Sequence, residues 1–261
     1  MTEPLVFDGV GKVWTRELDG TLKYIDEKVN SVIFAPQFSW TKVFGGESGY
    51  PFHLTAQDLA DTLSIEVPRY SPLLAEMSQG AATETGPMTF DENEEGILAA
   101  TGYQIKALSK FGGTFVADSD EVYLKEPGGK LTQLERVAAT PTAEQYSITS
   151  DGLITSDTTN DNKNLVVTYN WTSVGGTMNG FTGTRKPKPF KFTHRFELIN
   201  DRTGSPVQVQ LTVYKAIGGG TLNVGAARKT PSTNTIALEV LEADITPDNP
   251  NGYAAVIIFS E

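Results

Sequence analysis

The chain has no cysteine and only two histidines in 261 residues. Without cysteine there is no disulfide framework, no thiolate nucleophile, no zinc knuckle and no iron–sulfur site. Stability must come from packing and hydrogen bonds. The absence also argues against a small secreted disulfide scaffold. Long apolar runs are missing too. The run AAVIIF at 254–259 falls far short of the roughly 20 apolar residues that a membrane-spanning helix needs. The opening residues MTEPLVFDGVGKVW carry acids and no basic start ahead of an apolar run, so no targeting segment is expected and the chain reads as made and folded in the cytoplasm. Positive charge is scarce as well, with 21 basic against 32 acidic side chains and a net charge of −11. Up to residue 150 there are 22 acids and 11 bases, and from 151 onward 10 of each, so the whole excess lies in the first part. A nucleic-acid binder normally shows the opposite sign, which points away from DNA as a tightly held ligand.

What the chain does have is two-residue alternation, broken by glycine, proline and asparagine. VNSVIF (29–34), DTLSIEVPRY (61–70), NLVVTYNW (164–171), FKFTHRFELI (190–199), PVQVQLTVYKAI (206–217), TNTIALEVLEADI (233–245) and GYAAVIIF (252–259) read as strands. In PVQVQLTVY, Val207, Val209, Leu211 and Val213 fall on one face and Gln208, Gln210 and Thr212 on the other. That pattern suits a half-buried strand of an antiparallel sheet. Turn chemistry at DRTGSP (201–206), GGG (218–220) and TPDNPNG (246–252) separates the runs. Helix signals are few. SPLLAEMSQG (71–80) has a serine cap, proline at the first helical position and a closing glycine. GYQIKALSK (102–110) reads as a helix or a strand. FGGESGYPFHLTAQ (44–57) is a long glycine-rich loop, TNDNKN (159–164) a tight polar one, and the acidic DENEE (91–95) a solvated turn. Pro187 and Pro189 place RKPKPFKF in a loop or at a sheet edge. The expected fold is mainly β, an antiparallel sandwich or barrel with one or two short flanking helices. Residues 1–261 read as one domain, either undivided or with an inserted β subdomain around 114–172, and the length suffices for a sizeable core.

Chemical motifs are largely missing. There is no G-x-S-x-G elbow, no HExxH and no phosphate loop. His194 lies mid-strand beside Arg195 and reads as a sheet-surface residue, and His53 as a surface or contact residue in a loop. Asp157, Asn160 and Asp161 lack calcium-loop spacing and read as a hydrogen-bonded turn. Asp118, Asp120 and Glu121 are acidic neighbours of the kind that serve glycoside hydrolysis only across a cleft, and otherwise lie on the surface. The sequon Asn170-Trp171-Thr172 falls inside a strand. No catalytic residue, cofactor or metal is expected. One basic concentration stands out: Arg185, Lys186, Lys188, Lys191 and Arg195, with no acid from 185 to 196. It suits phosphate or the acidic surface of an identical neighbour, and the −11 favours the neighbour, since charge complementarity orients such contacts.

Residues 140–172, TPTAEQYSITSDGLITSDTTNDNKNLVVTYNWT, run strand, Asp-Gly turn, strand, Asn/Asp turn, strand. This order resembles a hairpin element of tailed-bacteriophage structural proteins. PVQVQLTVYKAI, a glycine turn, TLNVGAARK and TIALEVLEADI resemble the C-terminal part of phage major tail (tail tube) proteins, as does TLSIEVPRYSPLLAEMSQGA from residue 62, a strand leading into a small helix. The resemblance covers most of the chain loosely. The first 30 residues match no named pattern, and the extra strands near 114–172 depart from the smallest tube proteins. The resemblance implies a non-enzymatic virion protein, assembled in the host cytoplasm, whose counterparts join six subunits edge to edge through their sheets in rings. These stack into a tail tube through a long loop. Viral DNA and the tape-measure protein occupy the lumen, and an acidic wall lets DNA slide without tight binding. Other tail proteins are further partners. Gly45, Gly46, Tyr50, Phe52 and Leu54 become candidates for ring stacking, and the 185–195 cations for a contact between subunits. Alternatives are a head decoration or other virion protein, or a soluble carbohydrate-binding module using Trp14, Trp40 and Trp171.

Overall fold

The computed structural model describes residues 5–45, 50–51, 53–223 and 233–260. The described residues are mainly β, with pairing mostly antiparallel, one short parallel pair between Glu135–Arg136 and Gln145–Tyr146, and two short α-helices. It begins with β1 (Leu5–Glu17), β2 (Leu22–Asp26), β3 (Ser31–Ala35), β4 (Phe38–Val43), β5 (His53–Leu59), β6 (Thr62–Val67), α1 (Pro72–Gln79) and β7 (Ala82–Gly86). Then follow β8 (Thr89–Ile97), β9 (Tyr103–Gln104), α2 (Lys106–Phe111), β10 (Thr114–Phe115), β11 (Glu121–Lys125), β12 (Leu131–Gln133), β13 (Glu135–Arg136), β14 (Gln145–Ile148), β15 (Leu153–Ser156) and β16 (Asn164–Thr172). The chain ends with β17 (Gly176–Gly180), β18 (Phe190–Asn200), β19 (Pro206–Leu222), β20 (Asn234–Val240) and β21 (Ala255–Phe259). Two compact units result: one from 1–83 with 179–261, the other from 84–178. The second unit is wider than the 114–172 segment marked in the sequence.

The first unit is built on one sheet in the order β2-β1-β18-β19-β20-β6-β3, with β21 also paired to β19. Alternation in β19 buries Val209, Leu211 and Val213, and Leu211 and Val213 join Val13, Phe190, Phe192, Ile236, Leu238 and Leu63 in one core. Helix α1 adds Leu74 to that core. Pro72 starts the helix and Gly80 ends it in the left-handed region at φ 65°, donating its N–H to the Glu76 carbonyl at 2.8 Å. Ser71 holds the cap position, but its side chain makes no cap bond. The glycine run 218–220 is not the turn its composition suggests. β19 continues through it to Leu222, with a register shift against β20 between Gly218 and Leu222. A Cβ on Gly218 would collide with the backbone of Ser78 in α1. Glycine here serves close approach of helix to strand and a bulge, not chain reversal. His194 also departs from expectation. It is buried, its Nε2 lies 2.5 Å from the Val10 carbonyl, and its ring stacks on Phe196 at 4.7 Å.

In the second unit β16 is central. β8 pairs along its whole length, while β11 and β10 share the opposite edge. A second small sheet runs β13-β14-β15-β9. Both sheets supply one core, including Val122, Tyr146, Ile154, Leu165, Val167 and Tyr169. The 102–110 segment holds both structures, β9 and then α2. DENEE is no turn: it lies within β8, with Asp91, Asn93 and Glu95 exposed and Glu92 and Glu94 half-buried. Glu94 accepts hydrogen bonds from the Tyr169 and Tyr103 hydroxyls and from the backbone N–H groups of Lys106 and Ala107, where α2 begins. Asp120 is buried, not a surface acid; it accepts from the Tyr146 hydroxyl at 2.7 Å and lies 3.2 Å from Arg136. Asp157 accepts from the Thr159 N–H in a polar turn, as its spacing suggests. This unit carries 14 acids against 6 bases, so it holds −8 of the −11.

Two stability tests follow from these contacts. Glu94→Ala strands the donors at the start of α2 and should cost about 3 kcal/mol in urea denaturation. Glu95→Ala, which breaks only the exposed pair with Lys125 at 2.8 Å, should cost less than about 1 kcal/mol. Burial holds the His194 imidazole below its ordinary value of 6.5, a pull partly opposed by the Val10 carbonyl. The unfolded chain therefore takes up a proton before the folded one does. Stability is full above about pH 6.5 and declines as pH falls from there toward the folded value. His194→Gln, which keeps a donor for Val10 without titrating, should flatten that decline in pH-dependent melting curves.

Candidate assembly interface

The segment expected as a long loop is largely a hairpin. Ser39 to Val43 of β4 pair with Gln57 to His53 of β5, so Leu54 stands in a strand opposite Lys42, and exposed His53 opens β5. Gly45 and exposed Tyr50 belong to the tip; Gly46 and Phe52 lie outside the described residues. The hairpin forms a two-stranded sheet of its own. Beyond mutual pairing, neither strand makes an extended contact with another described element. Its base is closed by the Gln37 N–H on Asp61 at 3.0 Å and the Ala60 N–H on the Gln37 carbonyl at 3.0 Å. Phe38 and Trp40 meet edge to face at 5.2 Å. Both are exposed, at 58% and 51%. Trp40 and Lys42, two residues apart on one strand, share a face.

The expected basic cluster divides. Arg185, Lys186 and Lys188 are exposed on a stretch without strand structure, as the prolines suggested. Lys191 and Arg195 belong to β18, with Lys191 over the Tyr214 ring at 4.9 Å and Arg195 donating to Gln208 at 2.8 Å. Sheet register adds two cations that local sequence reading missed: Arg16 lies opposite Lys191 and Lys12 opposite Arg195. Lys186 and Lys188 also border a cavity of about 690 Å³, with Leu18, Met77 and Phe190 among its walls. There Lys23 bridges Glu17 at 2.8 Å and Glu76 at 3.3 Å.

A further feature was invisible to sequence spacing. β1 pairs Phe7 with Leu198, β18 pairs Phe196 with Val209, and Val209 also faces Phe259 of β21. These residues sit on the face that carries the core farther along the same strands. Here the cover stops: Phe7 is 75% exposed and Phe259 44%, beside exposed Ile257. Phe7 stacks on Phe196 at 5.7 Å. Exposed apolar surface of this kind marks contact sites. Trp171, by contrast, is buried between Phe90 at 4.9 Å and Phe111 at 5.8 Å.

No family model and no curated relative matches this chain. Among the described residues no helix is long and apolar enough to cross a membrane, and no cluster of three His, Asp or Glu side chains is disposed to hold a metal ion.

The two tryptophans supply a direct check on the exposed hairpin. Trp40→Ala should change unfolding free energy by no more than about 0.5 kcal/mol. Trp171→Ala should cost about 3–5 kcal/mol. Urea denaturation of both variants measures the contrast.

Proposed function

We propose that this chain is a structural subunit of the phage tail-tube type, which joins copies of itself into rings and stacks the rings into a conduit for viral DNA. The observation that carries the reading is the hairpin of β4 and β5, which exposes Phe38 and Trp40 and pairs only with itself among the described residues. A lone two-stranded hairpin is marginally stable in water, so its faces suit a partner surface. The sheet supports the same reading. β2 and β3 are its terminal strands, and they expose Ile25 and Ile33. Such edges are a hazard in a monomer and a joining surface in an assembly. Head-to-tail contacts give rings when the rotation closes and filaments when repeated along an axis. In this reading the tape-measure protein and DNA occupy the lumen, other tail proteins bind the tube ends, and the virion tail is its final location. The net charge of −11 opposes adhesion of passing DNA.

Negative-stain microscopy of the concentrated, purified protein tests the proposal. Hollow tubes of uniform width are expected, and Phe38→Ser with Trp40→Ser should abolish them while the subunit stays folded. A monodisperse monomer at every concentration would overturn the reading, and glycan binding by that monomer would favour a carbohydrate module.

A further inference from the structure

Strand β8 has a free edge. It pairs along its nine residues with β16 and with no other described strand. Leu98, the next residue, donates its N–H to Lys163 and accepts from the Asn162 N–H, both on the β16 side. By alternation Thr89, Asp91, Asn93, Glu95 and Ile97 turn their own N–H and C=O groups outward. The Glu95 carbonyl accordingly meets the Lys106 ammonium at 3.3 Å, while Thr89, Asp91 and Asn93 leave the edge open. The side chains of these residues lie on the exposed face of the strand. There Glu95 pairs with Lys125 at 2.8 Å, whereas Asp91 has no cationic partner among the described residues. Acids on a free edge keep ordinary strands from adding to it. They admit a strand that brings cations.

The chain itself contains such a segment. Lys186-Pro187-Lys188-Pro189 exposes both lysines, and neither forms an ion pair with a described residue. Nor does the backbone of Lys186 or Lys188 make a hydrogen bond to another described backbone group. A Cβ on Gly80 would meet the carbon, oxygen and nitrogen of the Lys186–Pro187 peptide alike. The end of α1 therefore supports the flat of that peptide and not its hydrogen-bonding edge. Proline fits a strand at a sheet edge, with its nitrogen toward solvent. Pro187 and Pro189 meet that condition when Lys186 and Lys188 turn their N–H and C=O groups to β8. Residues that exchange such bonds in an antiparallel pair sit directly opposite and share a face. The one phase that the prolines allow therefore sets both lysines on the acidic face, beside Asp91.

We propose that the Lys186–Pro189 segment of a second copy adds as an antiparallel strand to the free edge of β8. The inference rests on the assembly reading and gives the acidic unit a contact that the β4–β5 hairpin does not supply. Main-chain hydrogen bonds provide the affinity of such strand addition, and alternate side chains its specificity. The charge match selects this segment over neutral strands.

The chain lacks cysteine, so one introduced thiol on each copy reports the contact. Asn93→Cys goes into one preparation of the full chain and Lys188→Cys into another; both positions are exposed, and melting curves check that each variant folds. Mixed, assembled and treated with a short bismaleimide, they should yield a linked pair with one copy of each variant. Lys188→Cys mixed with Lys130→Cys, an exposed position between β11 and β12, should yield none. Separately, Asp91→Lys should raise the concentration needed for assembly about tenfold, and adding Lys186→Asp and Lys188→Asp should restore assembly. Lys188→Pro should impair assembly more than Lys188→Ala, because only proline removes the N–H that bonds β8. Tubes that form without the link between positions 93 and 188, a charge exchange that fails to restore assembly, or equal effects of proline and alanine would overturn the added strand while leaving the tube reading intact. A wild-type chain that never self-associates overturns both.

Discussion

The larger sheet depends on β19 being paired along both edges at once. Val209 to Val213 face β18 on one side and β21 on the other, and Ala216 faces both Phe190 and Val240. One strand thus joins two groups of strands that do not otherwise share a register. The bulge between Gly218 and Leu222 absorbs the change of alignment. The missing side chain at Gly218 lets α1 approach the strand closely, and the helix then closes the core with Leu74. Stability in a chain without disulfides falls on this double pairing and the apolar face it organises.

Much of that organisation is written in local sequence. PVQVQLTVY and NLVVTYNW alternate plainly because one side of each strand is buried more deeply than the other. Pro72 and Gly80 bound α1 for reasons of backbone geometry alone. DENEE hides its strand because β8 answers its half-buried acid with donors from Tyr103, Tyr169 and the start of α2. Those donors come from distant positions, so no short window contains them. His194 reads as polar surface for the same reason: its partner, Val10, sits on another strand.

The candidate surfaces divide along the same line. The glycine-rich tip drew attention to Tyr50 and Leu54 through composition. Leu54 instead belongs to a strand, and the exposed pair Phe38 and Trp40 lies on the strand before the tip. Arg185 through Arg195 form one run in the sequence and two groups in space. Lys12 and Arg16 join the second group only through register. Phe7 and Phe259 lie far apart in the sequence and come to one face of the same sheet, with β18 and β19 between them. The charge asymmetry becomes clearer as well: most of the excess belongs to the unit spanning 84–178 rather than to an N-terminal half.

The point at which that acidic unit leaves the main chain has its own significance. Thr83 and Asn179 bracket it, and the Asn179 amide donates to the Thr83 hydroxyl at 2.9 Å. The same amide reaches the Pro72 carbonyl at 3.1 Å, and its oxygen accepts from the Tyr70 hydroxyl at 2.7 Å. The departing and returning strands are therefore clasped by the parent unit itself. Such a clasp works as a socket: a module with neighbouring ends can be carried, exchanged or lost there without rethreading the host sheet. The fold can thus vary that module while its own strand order stays unchanged.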